Sequence, residues 1–216
     1  MKWGVVTLFP TMVVDALAHG VIGRAMDKGL VELTTFNPRV YATDVHQTVD
    51  DRPYGGGPGM LMKVETLRAS IADAKAALPN ALVVYLSPQG EPLTQQLVRE
   101  LAALPEVILV CGRYEGIDER VIELDIDREI SLGDFVLSGG EPAAVALVDA
   151  PSCSIYFGQG LCPISFLLHV CDPAYLLVYS WYSIYHTKVG PGRVMECVQR
   201  SLHTGRTYAI RRLKRT

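Results

Sequence analysis

The chain has 216 residues, a formal charge of −3, 49% hydrophobic residues and 20% charged residues. That length allows one large domain, or one domain with a small appendage, and it suffices for a full core. The charge excludes a protein that is basic all over and leaves only a local basic patch for contact with nucleic acid.

The first ten residues, MKWGVVTLFP, carry one lysine and a short apolar run without a signal-peptide pattern, so a cytoplasmic location is expected. Trp3–Phe9 is apolar and β-branched and predicts a buried strand ended by Pro10. TMVVDALAHG reads as a short helix stopped at Gly20, and VIGRAMDKG as a second stopped at Gly29. Val31–Asn37 alternates and predicts a strand. A long connection over residues 38–59 ends in VDDRPYGGGPGM, whose glycines and prolines suggest a shaped loop.

Lys63–Leu78 places Val64, Leu67, Ile71, Ala74 and Leu78 on one face, which predicts an amphipathic helix. Ala81–Ser87 is a buried strand ending at Pro88, and TQQLVRELAAL a helix with Thr94 as N-cap. Glu106–Cys111 is a further buried strand, DERVIELD a short helix and Asp127–Leu132 a short strand. EPAAVALVDA is a helix with Pro142 in its first turn, the favoured place for proline. Alternation of strand and helix predicts an α/β fold with a mostly parallel sheet.

In such sheets ligands bind beyond the carboxyl ends of the strands. Three loops follow strand ends: LSPQGEP, CGRYEGIDER and SLGDFVLSGGEP. All are rich in Gly, Pro and small polar residues, and they are expected to converge on one pocket. A phosphate loop is not expected, because Gly59 is followed by Met60 and Leu61 where a Lys-Ser/Thr pair is needed. The first strand lacks the glycine fingerprint of dinucleotide-binding folds. An adenosine-bearing ligand without phosphates suits loops whose backbone can approach an adenine edge, with Gly112, Gly133, Gly139 and Gly140 at the close approaches. The other reading of these glycines is that they serve turns. The five histidines show no metal-ligand spacing, and the five cysteines contain no C-x-x-C pair, so neither a bound metal nor a disulfide framework is expected.

VDDRPYGGGPGM, YLSPQG, CGRYEGIDERV and ISLGDFVLSGGE, in this order, resemble the bacterial tRNA (guanine-N1)-methyltransferases of the SPOUT superfamily. The similarity runs from Met1 to Ala150. It implies a fold with a deep trefoil knot, an obligate homodimer, tRNA as substrate and S-adenosylmethionine as cofactor. By resemblance, Tyr85, Leu86, Ser87 and Pro88 lie along the cofactor pocket, and Gly112, Tyr114 and Glu115 form its second wall. Leu132, Gly133, Asp134, Phe135, Val136 and Leu137, then Gly139, Gly140 and Pro142, form the third loop. Gly55, Gly56, Gly57 and Gly59 are placed beside the target base. Structural roles stay open for several of these residues. Tyr114 is also readable as a packing aromatic, Glu115 and Asp118 as helix caps, and Asp50, Asp51 and Arg52 as a loop-fixing ion pair.

Past Ala150 the chain changes character. Residues 1–150 hold 21 Asp/Glu and 12 Lys/Arg, whereas residues 151–216 hold 2 and 8. The expected organisation is therefore a methyltransferase domain over 1–150 and an atypical tail over 151–216 in place of the family's linker and small helical domain. Methylation at N1 of guanine needs a base to take the N1 proton and a cation to stabilise charge at O6. The resemblance puts an arginine where this chain has Cys153 and an aspartate further on. No Asp or Glu occurs from Pro151 to Cys171, so the catalytic residues stay unassigned, with Asp172 the one candidate carboxylate. A shift of reading frame after Ala150, recovering near Ala209, explains the change. The rivals are a divergent tail and a membrane segment, the latter spoiled by His169, Asp172 and Pro173 in its middle. The apolar residues of the tail hold no sustained helical period, so no well-formed helical domain is expected there. A second function class is a non-catalytic cofactor-binding dimer that holds RNA weakly through Arg193, Arg200, Arg206, Arg211, Arg212, Lys214 and Arg215. No membrane partner is expected.

Overall fold

The computed structural model of the chain describes residues 1–53 and 55–156. The expectations for the tail, including Asp172 and the basic residues from Arg193 onward, lie outside the described residues.

Seven strands and six helices follow one another along the described chain: β1 (Lys2–Val6), α1 (Pro10–Leu17), α2 (Gly20–Asp27), β2 (Glu32–Phe36), β3 (Asp50–Asp51), β4 (Leu61–Met62), α3 (Val64–Ala77), β5 (Leu82–Pro92), α4 (Gln95–Ala102), β6 (Glu106–Cys111), α5 (Glu119–Asp125), β7 (Arg128–Ser131) and α6 (Glu141–Tyr156). A 3-10 turn over Pro38–Tyr41 follows β2. Five strands form one sheet in the order β2-β1-β6-β5-β7, and every pairing in it is parallel. β3 and β4 pair antiparallel as a separate two-stranded ribbon.

The central strands are apolar without interruption because helices cover both faces of a parallel sheet. Side chains alternate between those faces with the period of two that a strand imposes. Trp3, Val5, Val84, Leu86, Val107, Leu109 and Cys111 point to one side, where α1, α2, α4 and α6 pack. Val6, Val83, Tyr85, Ile108 and Val110 point to the other, against Leu67, Ile71 and Ala74 of α3 and Val121 of α5.

Most helix ends follow the local chemistry that the sequence displays. The Thr94 hydroxyl accepts a hydrogen bond from Leu97 N–H at 3.3 Å and caps α4 as expected. After α2, Gly29 takes a φ of +67°. Its N–H bonds Met26 O, and Leu30 N–H reaches back to Ala25 O, so the helix closes in a Schellman turn that favours glycine.

Three boundaries differ from the sequence reading. The first strand ends at Val6 rather than Phe9, since Thr7 turns its hydroxyl to Glu141 and also accepts from Phe9 N–H. LSPQGEP is not a free loop. β5 bulges after Leu86 and then pairs again with β7, Glu91 opposite Ile130 and Pro92 opposite Ser131. The last helix does not end at Ala150. It carries Pro151 in its interior and continues to Tyr156, so the change in composition falls inside a helix. Cys153 lies in its last turn.

Candidate functional site

All strands of the sheet run the same way, so their carboxyl ends gather on one edge. The residues that follow β1, β5, β6 and β7 meet there. The β6–α5 loop and the β7–α6 loop are bonded directly, Gly140 N–H to Gly112 O at 2.9 Å. The β5 end reaches the same place through Tyr85, whose hydroxyl would lie 2.9 Å from a Cβ on Gly112 and 3.6 Å from one on Gly116.

A buried polar network ties these segments together. The Glu141 carboxylate is fully buried, and both of its oxygens are used. Thr7 Oγ1 donates to Oε1 at 2.7 Å, and Arg113 Nε donates to Oε2 at 2.7 Å. Arg113 also donates from Nη1 to Ser138 O at 3.1 Å and stacks its guanidinium 4.5 Å from the centre of the Phe9 ring. A carboxylate taken wholly out of water is stable only when it is paired and hydrogen-bonded, and this one is both. The sequence reading missed Thr7, Arg113 and Glu141. The available signal was that Arg113 and Glu141 each directly follow a site glycine, Gly112 and Gly140.

The glycines of the three loops stand against protein rather than against open space. A Cβ on Gly139 would lie 2.4 Å from Arg113 Nε, one on Gly140 2.7 Å from Cys111 Cα, and one on Gly133 2.5 Å from the Phe135 ring. Their small size lets the loops interlock. On their Cβ side these glycines therefore face other groups of the chain.

The third loop does leave binding groups free. The backbone N–H groups of Val136, Leu137, Ser138 and Gly139 donate no hydrogen bond among the described residues. Phe135, Val136 and Leu137 are exposed, Val136 almost completely at 96%. Leu132 is half-buried and Asp134 exposed, while Pro142 sits half-buried in the first turn of α6. In the first segment Tyr85, Leu86 and Ser87 are buried and Pro88 is exposed. Ser87 Oγ accepts from Gln89 N–H at 3.2 Å and shapes the bulge.

In the second loop Tyr114 is 46% exposed with a φ of +60°, a conformation uncommon outside glycine, so it is not a core packing residue. Glu115 is exposed and does not cap α5. The cap is Asp118, whose Oδ1 accepts from Arg120 N–H at 3.0 Å. The Arg120 side chain bonds the same carboxylate, and together these bonds hold Asp118 down at a pKa of about 2.

The glycine-rich loop docks on this second loop. Glu115 N–H bonds Met60 O at 3.0 Å, and Met62 N–H bonds Gly116 O at 3.1 Å. A Cβ on Gly59 would lie 2.4 Å from Glu115 Cγ, and Gly55, Gly56 and Gly57 are exposed with positive φ. The structure thus brings the four glycines to the edge of the loop cluster. Asp51 Oδ1 accepts from Arg52 N–H, a local turn bond. A hollow of about 390 Å³ opens beside this ribbon, lined by Pro53, Leu61, Ile117, Asp118, Glu119 and Arg120.

Burial shifts two titratable groups of the cluster. Burial, reinforced by the Glu129 charge, raises the Tyr85 phenol, so it is a neutral donor at physiological pH. Burial, then the Glu141 carboxylate, push the Cys111 thiol well up against the opposing effect of Arg113, which makes it an inert thiol rather than a nucleophile. Among the described residues no group of His, Cys, Asp and Glu could hold a metal ion, and no helix is long and apolar enough to cross a membrane.

Known proteins are similar to this chain over much of its length. The chain is 60% identical over 152 residues to a tRNA (guanine-N(1)-)-methyltransferase of Marinomonas sp. (strain MWYL1), covering 70% of this chain and 61% of that protein. It is 61% identical over 156 residues to the enzyme of that name from Chromohalobacter salexigens, with 69% and 58% covered. With that of Shewanella woodyi it is 61% identical over 153 residues, with 70% and 62% covered. The chain thus matches only about three fifths of the length of these curated relatives. The family model described as tRNA (Guanine-1)-methyltransferase TrmD matches residues 1–156, the same stretch that folds into the parallel sheet and its interlocked loops. With that match over most of its length, the chain belongs to the tRNA (guanine-1)-methyltransferase family.

Proposed function

We propose that this protein derives from an S-adenosylmethionine-dependent methyltransferase acting on N1 of the guanosine 3′ of the tRNA anticodon, and that residues 1–156 are its cofactor-binding part. The observation that carries this reading is the interlocking of the β5, β6 and β7 ends on one sheet edge, with the glycine-rich loop docked on Glu115.

The residues present fit the cofactor. An adenosine-bearing group needs a few backbone partners set among apolar walls. The free N–H groups of Val136 to Gly139 supply the first, and Leu86, Leu132 and Leu137 the second. S-adenosylmethionine supplies an electrophilic methyl group when bound. The protein's part is to hold and orient it, by Tyr85 to Pro88 on one side, Gly112, Tyr114 and Glu115 on the second, and Leu132 to Pro142 on the third. Gly55 to Gly59 and the neighbouring hollow would receive the target base. The reading includes a trefoil knot, which the similarity of residues 1–156 to the family implies. It also includes a homodimer, supported by the exposed Tyr114, Phe135, Val136 and Leu137, and a cytoplasmic location.

The proton at N1 needs a base, and the charge growing at O6 needs a cation. Cys153 stands where the family has its arginine. Asp172 is the candidate base. The lack of any Asp or Glu from Pro151 to Cys171 favours a second reading, a cofactor-binding dimer without catalysis, and a frame-shifted origin for the tail. Calorimetry with S-adenosylmethionine, paired with methyl transfer to unmodified tRNA, separates the two. Binding with transfer supports the enzyme, binding without transfer the second reading, and no binding refutes both. Translating the coding DNA in its other frames tests the tail, and the frame-shift idea fails if no frame restores the family's Pro-His-Tyr-Thr-Arg-like segment.

A further inference from the structure

We propose that Glu141 is a positioning residue: by clamping Arg113 it sets the spacing between the β6–α5 and β7–α6 loops, and so holds the cofactor site open in a fixed shape. The inference rests on the cofactor reading above and adds to it the residues that would keep the site in register.

The geometry points to a clamp rather than a passive ion pair. Arg113 is the first residue after Gly112, and Glu141 the first after Gly140, so the pair sits at the root of both loops. Its Nε–Oε2 bond of 2.7 Å runs beside the Gly140 N–H to Gly112 O bond, so backbone and side chains join the loops at the same level. Arg113 Nη1 reaches further along the third loop to Ser138 O, beside the free N–H groups of Val136 to Gly139. Gly139 leaves no room for a Cβ, because the guanidinium fills that space. Thr7 fixes the other carboxylate oxygen from the end of β1, and Phe9 lies under the guanidinium. Three chain segments, the end of β1, the β6–α5 loop and the start of α6, therefore meet at one carboxylate that solvent does not reach. A buried charged network can hold one geometry against alternatives, and a bidding site loses binding when its supporting shell shifts.

Hydrogen exchange on the full chain tests the clamp directly, comparing the parent with Glu141→Gln. Glutamine keeps the shape and removes the charge that holds Arg113. The hydrogen-bonded loop amides of Glu115, Gly116 and Gly140 should exchange roughly tenfold faster, while those of β1, β6 and α3 keep parental protection. Affinity for S-adenosylhomocysteine by calorimetry should fall by about tenfold or more, as expected when a binding group is displaced. Phe9→Leu, a change at a half-exposed side chain, should produce the same pattern more weakly, and it carries the test if Glu141→Gln does not accumulate as folded protein. The proposal is overturned if the two loops keep parental exchange, if exchange rises evenly over the whole chain, or if the loops loosen while affinity stays parental. A parent that does not bind S-adenosylhomocysteine refutes the functional reading instead, and the loop exchange contrast alone then decides whether the clamp holds.

Discussion

Replacing Gly140 with alanine probes how tightly the loops interlock. The added Cβ would lie 2.7 Å from Cys111 Cα, 3.0 Å from Cys111 Cβ and 3.0 Å from Gly112 N. Two of those atoms are backbone of β6 and its loop, so no rotamer change relieves the contact. Gly140 does not take a positive φ, so the effect is one of space and not of backbone conformation. Forcing a methyl into a close-packed interior costs about 1–3 kcal/mol. At about 3 °C per kcal/mol for a chain of this size, the melting temperature should drop by roughly 3–9 °C. The same displacement strains the Gly140 N–H to Gly112 O bond, so affinity for S-adenosylmethionine should fall along with stability. Differential scanning fluorimetry and calorimetry measure both, with Val45→Ala as a control at a side chain 96% exposed. A Gly140→Ala protein that melts within 1 °C of the parent and binds the cofactor equally would refute the account of loop packing.

Thr94→Ala removes the α4 cap and should cost about 1 kcal/mol in urea unfolding. Asp118→Ala should cost a similar amount at neutral pH and little at pH 2, because its carboxyl is held below the ordinary 3.8 at about 2. That contribution is complete above the unfolded value and is lost as pH falls through the folded one, so the difference between parent and variant should close between pH 4 and pH 2 in acid unfolding. Ser70→Ala should stabilise by about 1 kcal/mol in chemical denaturation, since the Ser70 hydroxyl is fully buried in α3 without a partner among the described residues. Leu147→Ala, at a side chain 1% exposed in α6, should cost about 2–5 kcal/mol by the same assay.

Much of the scaffold was legible in the chain because each element announces itself locally. The runs around Trp3, Val83 and Ile108 are apolar without interruption, and only a strand covered on both faces has use for that pattern. The spacing of Leu67, Ile71 and Ala74 marked α3, and Thr94 marked the start of α4. The site was legible as a set of loops but not as a geometry. Gly139 and Gly140 read equally well as ligand-facing or as turn glycines, because a glycine code says that something comes close and not what it is. On the Cβ side the groups that come close are Arg113 and Cys111, and neither neighbour is near in sequence.

Sequence alone determined the alternating α/β grammar, the order of the loops and the loss of acidic residues past Ala150, since all three are properties of neighbours along the chain. Tertiary structure alone decided that β5 continues past its bulge to pair with β7, that α6 runs through Pro151, and that Glu141 is buried on Thr7 and Arg113. Those outcomes depend on groups brought together from far apart in the chain. Burial turns an ordinary first-turn glutamate into a clamp, and no local pattern encodes that burial.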